Sequence, residues 1–222
     1  MSQQVLTECS TDDIAYGNPS LEQISLMSKQ TMLDGLFDEL SKIFPPANSS
    51  EITQKELNDL VVYTSQLAND EELKRYFWYD GSLLAYLESI FTDVDFDVKE
   101  ALQTAQNVLD DINPLIMRLK YFFNRARPNQ LAYYYKLQLF PFDSISSNSP
   151  SYPSAHAYQA KVVAEVLGNK YPRYYQSFKS LSNDIALSRM SMGLHYQSDI
   201  DMGIYAAEEV LNVKEFKKKY RL

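Results

Sequence analysis

The chain has one cysteine in 222 residues, which excludes an internal disulfide and a metal–thiolate cluster. That residue, Cys9, lies close to the start and is expected to be an incidental thiol. Six glycines and very little strict alternation of apolar with polar residues leave β-strands without support. No stretch approaches the roughly 20 apolar residues of a membrane-spanning helix. The most apolar segment, 131–142, is broken by Lys136 and Gln138. Residues 1–11 lack a basic region followed by an apolar one, so no signal peptide is evident. An intracellular protein is expected, or a periplasmic one had a leader been removed. A formal charge of −8 argues against a general nucleic-acid binder. Histidine is scarce as well: His156 and His195 are the only two.

What is present is helical spacing. Residues 1–19 read as an irregular segment ending at Gly17-Asn18-Pro19, and 20–222 as one all-α domain. Helices are predicted over 21–44 with an interruption at Gly35, over 51–68 behind a Ser50 cap, and from 69 or 70 to a break at Asp80-Gly81. The pattern resumes over 83–91. A long amphipathic helix starts at Asp97, is expected to kink or restart at Pro114, and reaches Arg127. Residues 129–152 read as a long loop with one short helix, a length that favours a functional role. Helices follow over 154–167, 171–192 and 198–211. The closing cluster of Lys214, Lys217, Lys218, Lys219 and Arg221 suits a helix C-terminus.

Charge is unevenly spread. Between Ile112 and Ala164 the only acid is Asp143, against Arg118, Lys120, Arg125, Arg127, Lys136 and Lys161. Such a stretch is either a solvated basic face or a local positive field that draws an anion.

Three short strings favour the anion. Lys120 and Arg127 are seven apart, so a continuous helix puts them on one face about 10 Å apart along its axis. Pro128 places Arg127 at the helix end, where a guanidinium can grip two oxygens while Lys120 offers a point charge. Arg125, inside the same string, falls off that face and is expected to contribute little. Ser154, after the loop and before an apolar-periodic run, is a plausible helix N-cap whose hydroxyl and following amide, that of Ala155, form an anion site beside His156. His195 and Asp199 are four apart, so the carboxylate can fix the imidazole tautomer and leave the other nitrogen as nucleophile or base. Arg189 supplies a third cation. A His-x3-Asp pair could also be half a metal site, but no cysteine, third histidine or acidic cluster completes it, so no metal is expected. The aromatic residues Tyr133, Tyr134, Tyr135, Phe140, Phe142 and Tyr152 read first as core, with an apolar wall for a leaving group as the alternative.

The strings Lys120-YFFNRA-Arg127-Pro128, Pro153-Ser154-Ala155-His156 and Ser188-Arg189-MSMGL-His195-YQS-Asp199 together resemble the signature of the type 2 phosphatidic acid phosphatase superfamily. That signature reads Lys-six-Arg-Pro, Pro-Ser-Gly-His and Ser-Arg-five-His-three-Asp. Only Ala155 departs, standing where the family has glycine; if the position needed φ > 0, alanine would be strained. The resemblance implies a single helical bundle of the acid phosphatase/vanadium haloperoxidase type, most like the soluble bacterial-type class A acid phosphatases, which are often self-associated. It implies His195 as a nucleophile forming a phosphohistidine, Asp199 as its orienting partner and His156 as general acid. Lys120, Arg127, Ser154, the Ala155 amide and Arg189 would form the phosphate cradle. A metal-independent phosphomonoesterase is the expected function, with a small phosphorylated substrate, no cofactor and vanadate as an inhibitor. A haloperoxidase holding vanadate as a prosthetic group, or an inactive phosphate- or nucleotide-binding module, are the alternatives.

Overall fold

Side-chain caps open many of the helices, and the turns between them are set by local hydrogen bonds. The computed structural model describes residues 10–66 and 70–222. Cys9 and the expected helix boundary at 68 and 69 lie outside the described residues. The described α-helices are α1 (Leu21–Met27), α2 (Phe37–Leu40), α3 (Glu51–Ser65), α4 (Asp70–Asp80), α5 (Leu83–Ile90), α6 (Val98–Phe123), α7 (Pro128–Tyr134), α8 (Ala155–Lys170), α9 (Tyr175–Ser191), α10 (Gln197–Asn212) and α11 (Lys214–Tyr220). Ser20, Ser50, Ser82, Asp97 and Ser154 each cap the helix that follows with a side-chain oxygen. Among the described residues there is no β-strand, only an isolated antiparallel bridge between Ala15 and Arg125. The all-α expectation holds.

One predicted helix is divided, and at Pro114 the structure decides in part between the two expected outcomes. The helix expected over 21–44 is two short helices. Between them Asp34 Oδ1 accepts from the Thr31 amide (3.1 Å) and hydroxyl (3.3 Å), a local turn that competes with helix. At Pro114, by contrast, α6 neither stops nor restarts. The missing N–H costs about 3 kcal/mol in a helix interior, but Ala101, Ala105, Val108 and Ile112 before the proline and Leu115 and Leu119 after it form one buried stripe. Burying a large aliphatic side chain returns roughly 1.5–3 kcal/mol, so continuity of the stripe outweighs the local penalty.

The core lies where α6 and α8 meet, with α9 and α10 packed on α8. Val162, Val163, Val166 and Leu167 of α8 pack with the α6 stripe and with Met202, Ala206 and Val210 of α10. Small residues permit the close approach. A Cβ on Gly203 of α10 would stand 2.5 Å from the carbonyl oxygen of Ser154, at the start of α8. That contact sets the head of α8 against the second turn of α10.

Candidate active site

Each cation of the three strings is buried, and each is anchored before any ligand arrives. Lys120, in the last turn of α6, donates to the carbonyls of Pro150 (2.5 Å) and Ser151 (3.3 Å). Asn124 then takes a left-handed conformation (φ 49°) and ends the helix, so Lys120 and Arg127 do not share a continuous helix as expected. Arg127 is instead the residue before α7, and its Nε and Nη1 reach the carbonyls of Ser149 (2.8 Å) and Leu194 (3.0 Å). Arg189, in the last turn of α9, donates Nη2 to Asp80 (3.0 Å) and to Ser146 (3.3 Å), while its Nε is buried without a partner. Burial and the neighbouring guanidinium of Arg127 hold the Lys120 pKa well below its ordinary value. Burial and Arg189 bring Arg127 down to about 10. These shifts record like charges held together in a desolvated space.

The histidine–aspartate pair forms across a turn. After α9 the chain passes through Gly193 (φ +68°), where a Cβ would stand 2.7 Å from Thr64, and His195 precedes α10 rather than lying on it. Its Nδ1 lies 3.1 Å from Oδ2 of Asp199, in the first turn of α10. The same oxygen accepts from the Tyr196 amide (3.0 Å) and from the Ser151 hydroxyl, and Oδ1 accepts from Arg125 (2.7 Å). Burial pushes the Asp199 carboxyl up, but Arg125 and these hydrogen bonds outweigh it and hold the group well below the usual carboxylate range. With Asp199 ionised, Nδ1 of His195 is the protonated nitrogen and Nε2 is the free one. Burial first, then Arg127 and Lys120, keep the imidazole far below its ordinary pKa. His195 is therefore held in its neutral form.

Ser154 and His156 stand at the head of α8. The Ser154 hydroxyl accepts from the Ala157 amide at 3.5 Å, and the Ser154 amide donates to the Asp199 carbonyl at 2.8 Å. Ala155 is the first helical residue, so alanine carries no strain where the family has glycine. His156 is half-buried and lines a shallow apolar cleft with Trp78, Tyr79, Leu83, Tyr86 and Gln159. Burial, then the charges of Arg189, His195, Lys120 and Arg127, depress its pKa. Lys120, Arg127, Arg189, His156, His195 and Asp199 thus lie within electrostatic reach of one another, and the Ser154 amide ties the head of α8 to Asp199.

A PAP2 superfamily model matches residues 102–212, half of the chain. The chain belongs to the PAP2 superfamily. No curated protein matches the sequence. Two solved structures share the PAP2 fold. A bacterial vanadium-dependent iodoperoxidase matches with TM-score 0.66 and 17% identity over 96% of this chain; the chain spans 61% of that protein's length. A transmembrane PAP2-type phosphatidylglycerolphosphate phosphatase from Bacillus subtilis matches with TM-score 0.53 and 17% identity over 90% of this chain and 98% of its own. Among the described residues, no helix of this PAP2 protein is long and apolar enough to cross a membrane.

Several site residues of this PAP2 chain escape sequence reasoning. Arg125, expected to be peripheral, is 4% exposed and contacts Asp199 directly, because the chain reverses at Asn124 and the helical facing argument no longer applies. Asp80, read only as a helix break, accepts from the Ser144 and Ser146 hydroxyls (2.6 Å each) and the Ile145 amide (2.8 Å) while holding Arg189. Burial raises its pKa, but the serine hydroxyls and Arg189 win and keep it ionised. Ser151 lies in the Ser- and Pro-rich stretch 149–154, whose composition could have drawn notice but did not; Glu56, on α3, carries no comparable signal. The aromatic residues are not all core. Tyr133, Tyr134 and Phe140 are exposed, whereas Tyr152 is buried and donates to the Ile43 carbonyl.

Proposed function

We propose that the protein hydrolyses phosphomonoesters through a phosphohistidine at His195. The observation that carries this reading is the 3.1 Å contact of His195 Nδ1 with an ionised, fully buried Asp199, close enough to Lys120 and Arg127 for their charges to act on the ring. The superfamily covers phosphatases and vanadium haloperoxidases, and a neutral imidazole beside buried cations suits attack on a phosphate dianion. Nε2 forms a bond to phosphorus as the ester P–O bond breaks, and His156 gives its proton to the leaving oxygen. Water then attacks the phosphohistidine, His156 takes the proton back, and His195 departs with its electron pair. Lys120, Arg127, Arg189, the Ser154 hydroxyl and the Ala155 amide neutralise the non-bridging oxygens. Burial and the neighbouring cations depress His156; the bound dianion offsets those cations, so His156 takes up a proton from solvent when substrate binds.

Rapid-quench labelling with a radioactive phosphate ester tests the roles. Wild type and His156→Ala should carry acid-labile label, and His195→Ala none. His156→Ala should lose far more rate on alkyl than on aryl phosphates, whose leaving oxygens need little protonation. The reading requires no metal or cofactor, so hydrolysis should survive exhaustive EDTA treatment and be blocked by vanadate. Label on His195→Ala, or activity restored only by a divalent ion, overturns it. Iodide oxidation with vanadate and peroxide, without ester hydrolysis, would assign the cradle to a peroxidase instead.

A further inference from the structure

A second buried charge network lies behind the histidine–aspartate pair, and nothing in the three strings accounts for it. Arg125, between α6 and α7, donates Nη1 to Asp199 Oδ1 (2.7 Å) and to the Ser198 hydroxyl (2.8 Å). Its Nη2 faces Thr53 (3.3 Å) and Glu56 (3.4 Å) of α3. The Tyr196 ring covers the guanidinium at 4.0 Å. Glu56 in turn accepts from the Ser198 amide (2.7 Å) and hydroxyl (2.9 Å). Arg125, Glu56 and Asp199 are all buried. One cation therefore bridges two carboxylates from different helices.

We propose that Arg125 is a positioning residue that acts on His195 through Asp199, and that Glu56 sets how much of its charge that carboxylate receives. The division of acceptors makes the case. Asp199 Oδ2 takes the donors that orient the imidazole, from His195, Tyr196 and Ser151, whereas Oδ1 is held by Arg125. Remove the guanidinium and Oδ1 becomes a bare buried anion, free to turn the carboxylate and to place its whole charge on the imidazole. His195 then becomes more basic, takes up a proton and stops being a nucleophile. A buried ion pair adds little to stability by itself, so a role in orientation is the better account of a two-carboxylate bridge at this point.

The proposal rests on His195 being the nucleophile, but its test does not need turnover. The groups facing His195 are Asp199 from α10, Lys120 from α6, Arg127 before α7 and His156 from α8. Those facing Asp199 add Arg125, Glu56 and the hydroxyls of Ser151, Tyr152 and Tyr196. With two histidines in the chain, ring-nitrogen NMR resolves both, and His156→Gln assigns them. In Arg125→Gln the His195 titration midpoint should rise by roughly one pH unit or more. In Glu56→Gln, which frees the arginine for Asp199, it should move the opposite way. Arg125→Lys should shift it least, and it keeps the test open if Arg125→Gln does not fold. The acid limb of kcat/KM for an aryl phosphate should follow the NMR midpoint with KM little changed. An unmoved midpoint, or shifts of one sign in both the Arg125→Gln and Glu56→Gln proteins, would refute the positioning role. The NMR shifts without any ester turnover would leave that role standing and remove the phosphatase reading.

Discussion

Gly203→Ala separates the two halves of the site by a known amount. Its Cβ would lie 2.5 Å from the Ser154 carbonyl oxygen, and the nearest side-chain atom, Ala157 Cβ, is at 3.3 Å. The obstructing atom is main chain, so no rotamer change relieves it; α10 must move from the head of α8. Reaching ordinary contact at 3.4 Å requires a displacement of about 0.9 Å. Overpacking of this kind costs about 1–3 kcal/mol, and replacing a helical glycine by alanine returns about 1 kcal/mol. The net loss is about 1 kcal/mol, or a Tm lower by roughly 2–4 °C for a chain of this size. Activity should suffer more, because His195 and Asp199 ride on one side of the gap and Ser154 and His156 on the other. A misplacement near 1 Å can remove on the order of a hundredfold in rate. Gly35→Ala, with nothing within 4 Å of the added Cβ, is the control: it should leave activity unchanged and raise rather than lower Tm. Thermal unfolding and hydrolysis of a chromogenic phosphate ester measure the two effects. A Gly203→Ala protein with wild-type Tm and kcat/KM would show that the α8–α10 contact does not set the site.

Other outcomes can be stated from the same geometry. Arg127→Lys keeps the charge but cannot reproduce the two-nitrogen fork that spans Ser149 and Leu194, and Arg189→Lys can replace Nη2 on Asp80 and Ser146 but loses Nε and Nη1; each should lose more than about tenfold in kcat/KM, at least roughly 1.4 kcal/mol of transition-state stabilisation. Retained kcat/KM in either variant would remove that guanidinium from the cradle. Stability should fall on acidification. Both histidine pKa values are depressed in the fold, so below about pH 6.5 the unfolded chain binds protons that the native state refuses, and each such histidine removes up to about 1.4 kcal/mol per pH unit. Glu56, whose pKa burial raises, acts in the opposite direction. The informative measurement is therefore the Tm difference between about pH 7.5 and 5.5, which His156→Gln should shrink; an equal difference in both proteins would mean that His156 titrates normally.

The candidate site was legible because its strings are local: Lys120, Arg127, His156, Arg189, His195 and Asp199 lie within electrostatic reach of one another, with Ser154 tied to Asp199. The helices around them were legible too, since caps such as Ser50 and Ser154 and the α6 stripe are properties of neighbouring residues. The supporting layer was not. Arg189 meets Asp80 across 109 positions, and Ser198 meets Glu56 across 142, separations over which no periodicity speaks. Arg125 was misplaced by one left-handed residue, Asn124, which turned an off-face arginine inward.

The carbonyls of Ser149, Pro150, Ser151 and Leu194 that receive Lys120 and Arg127 have a thermodynamic consequence for recognition. Lysine and arginine side chains each carry roughly 2 kcal/mol of rotamer entropy. Here that freedom is lost when the chain folds rather than when an anion binds. An oxyanion bound as proposed would meet donors already immobile, among them Arg189 Nε, which has no partner among the described residues. Discrimination in such a site comes from how well an anion matches donors that the carbonyls of 149–151 hold in place.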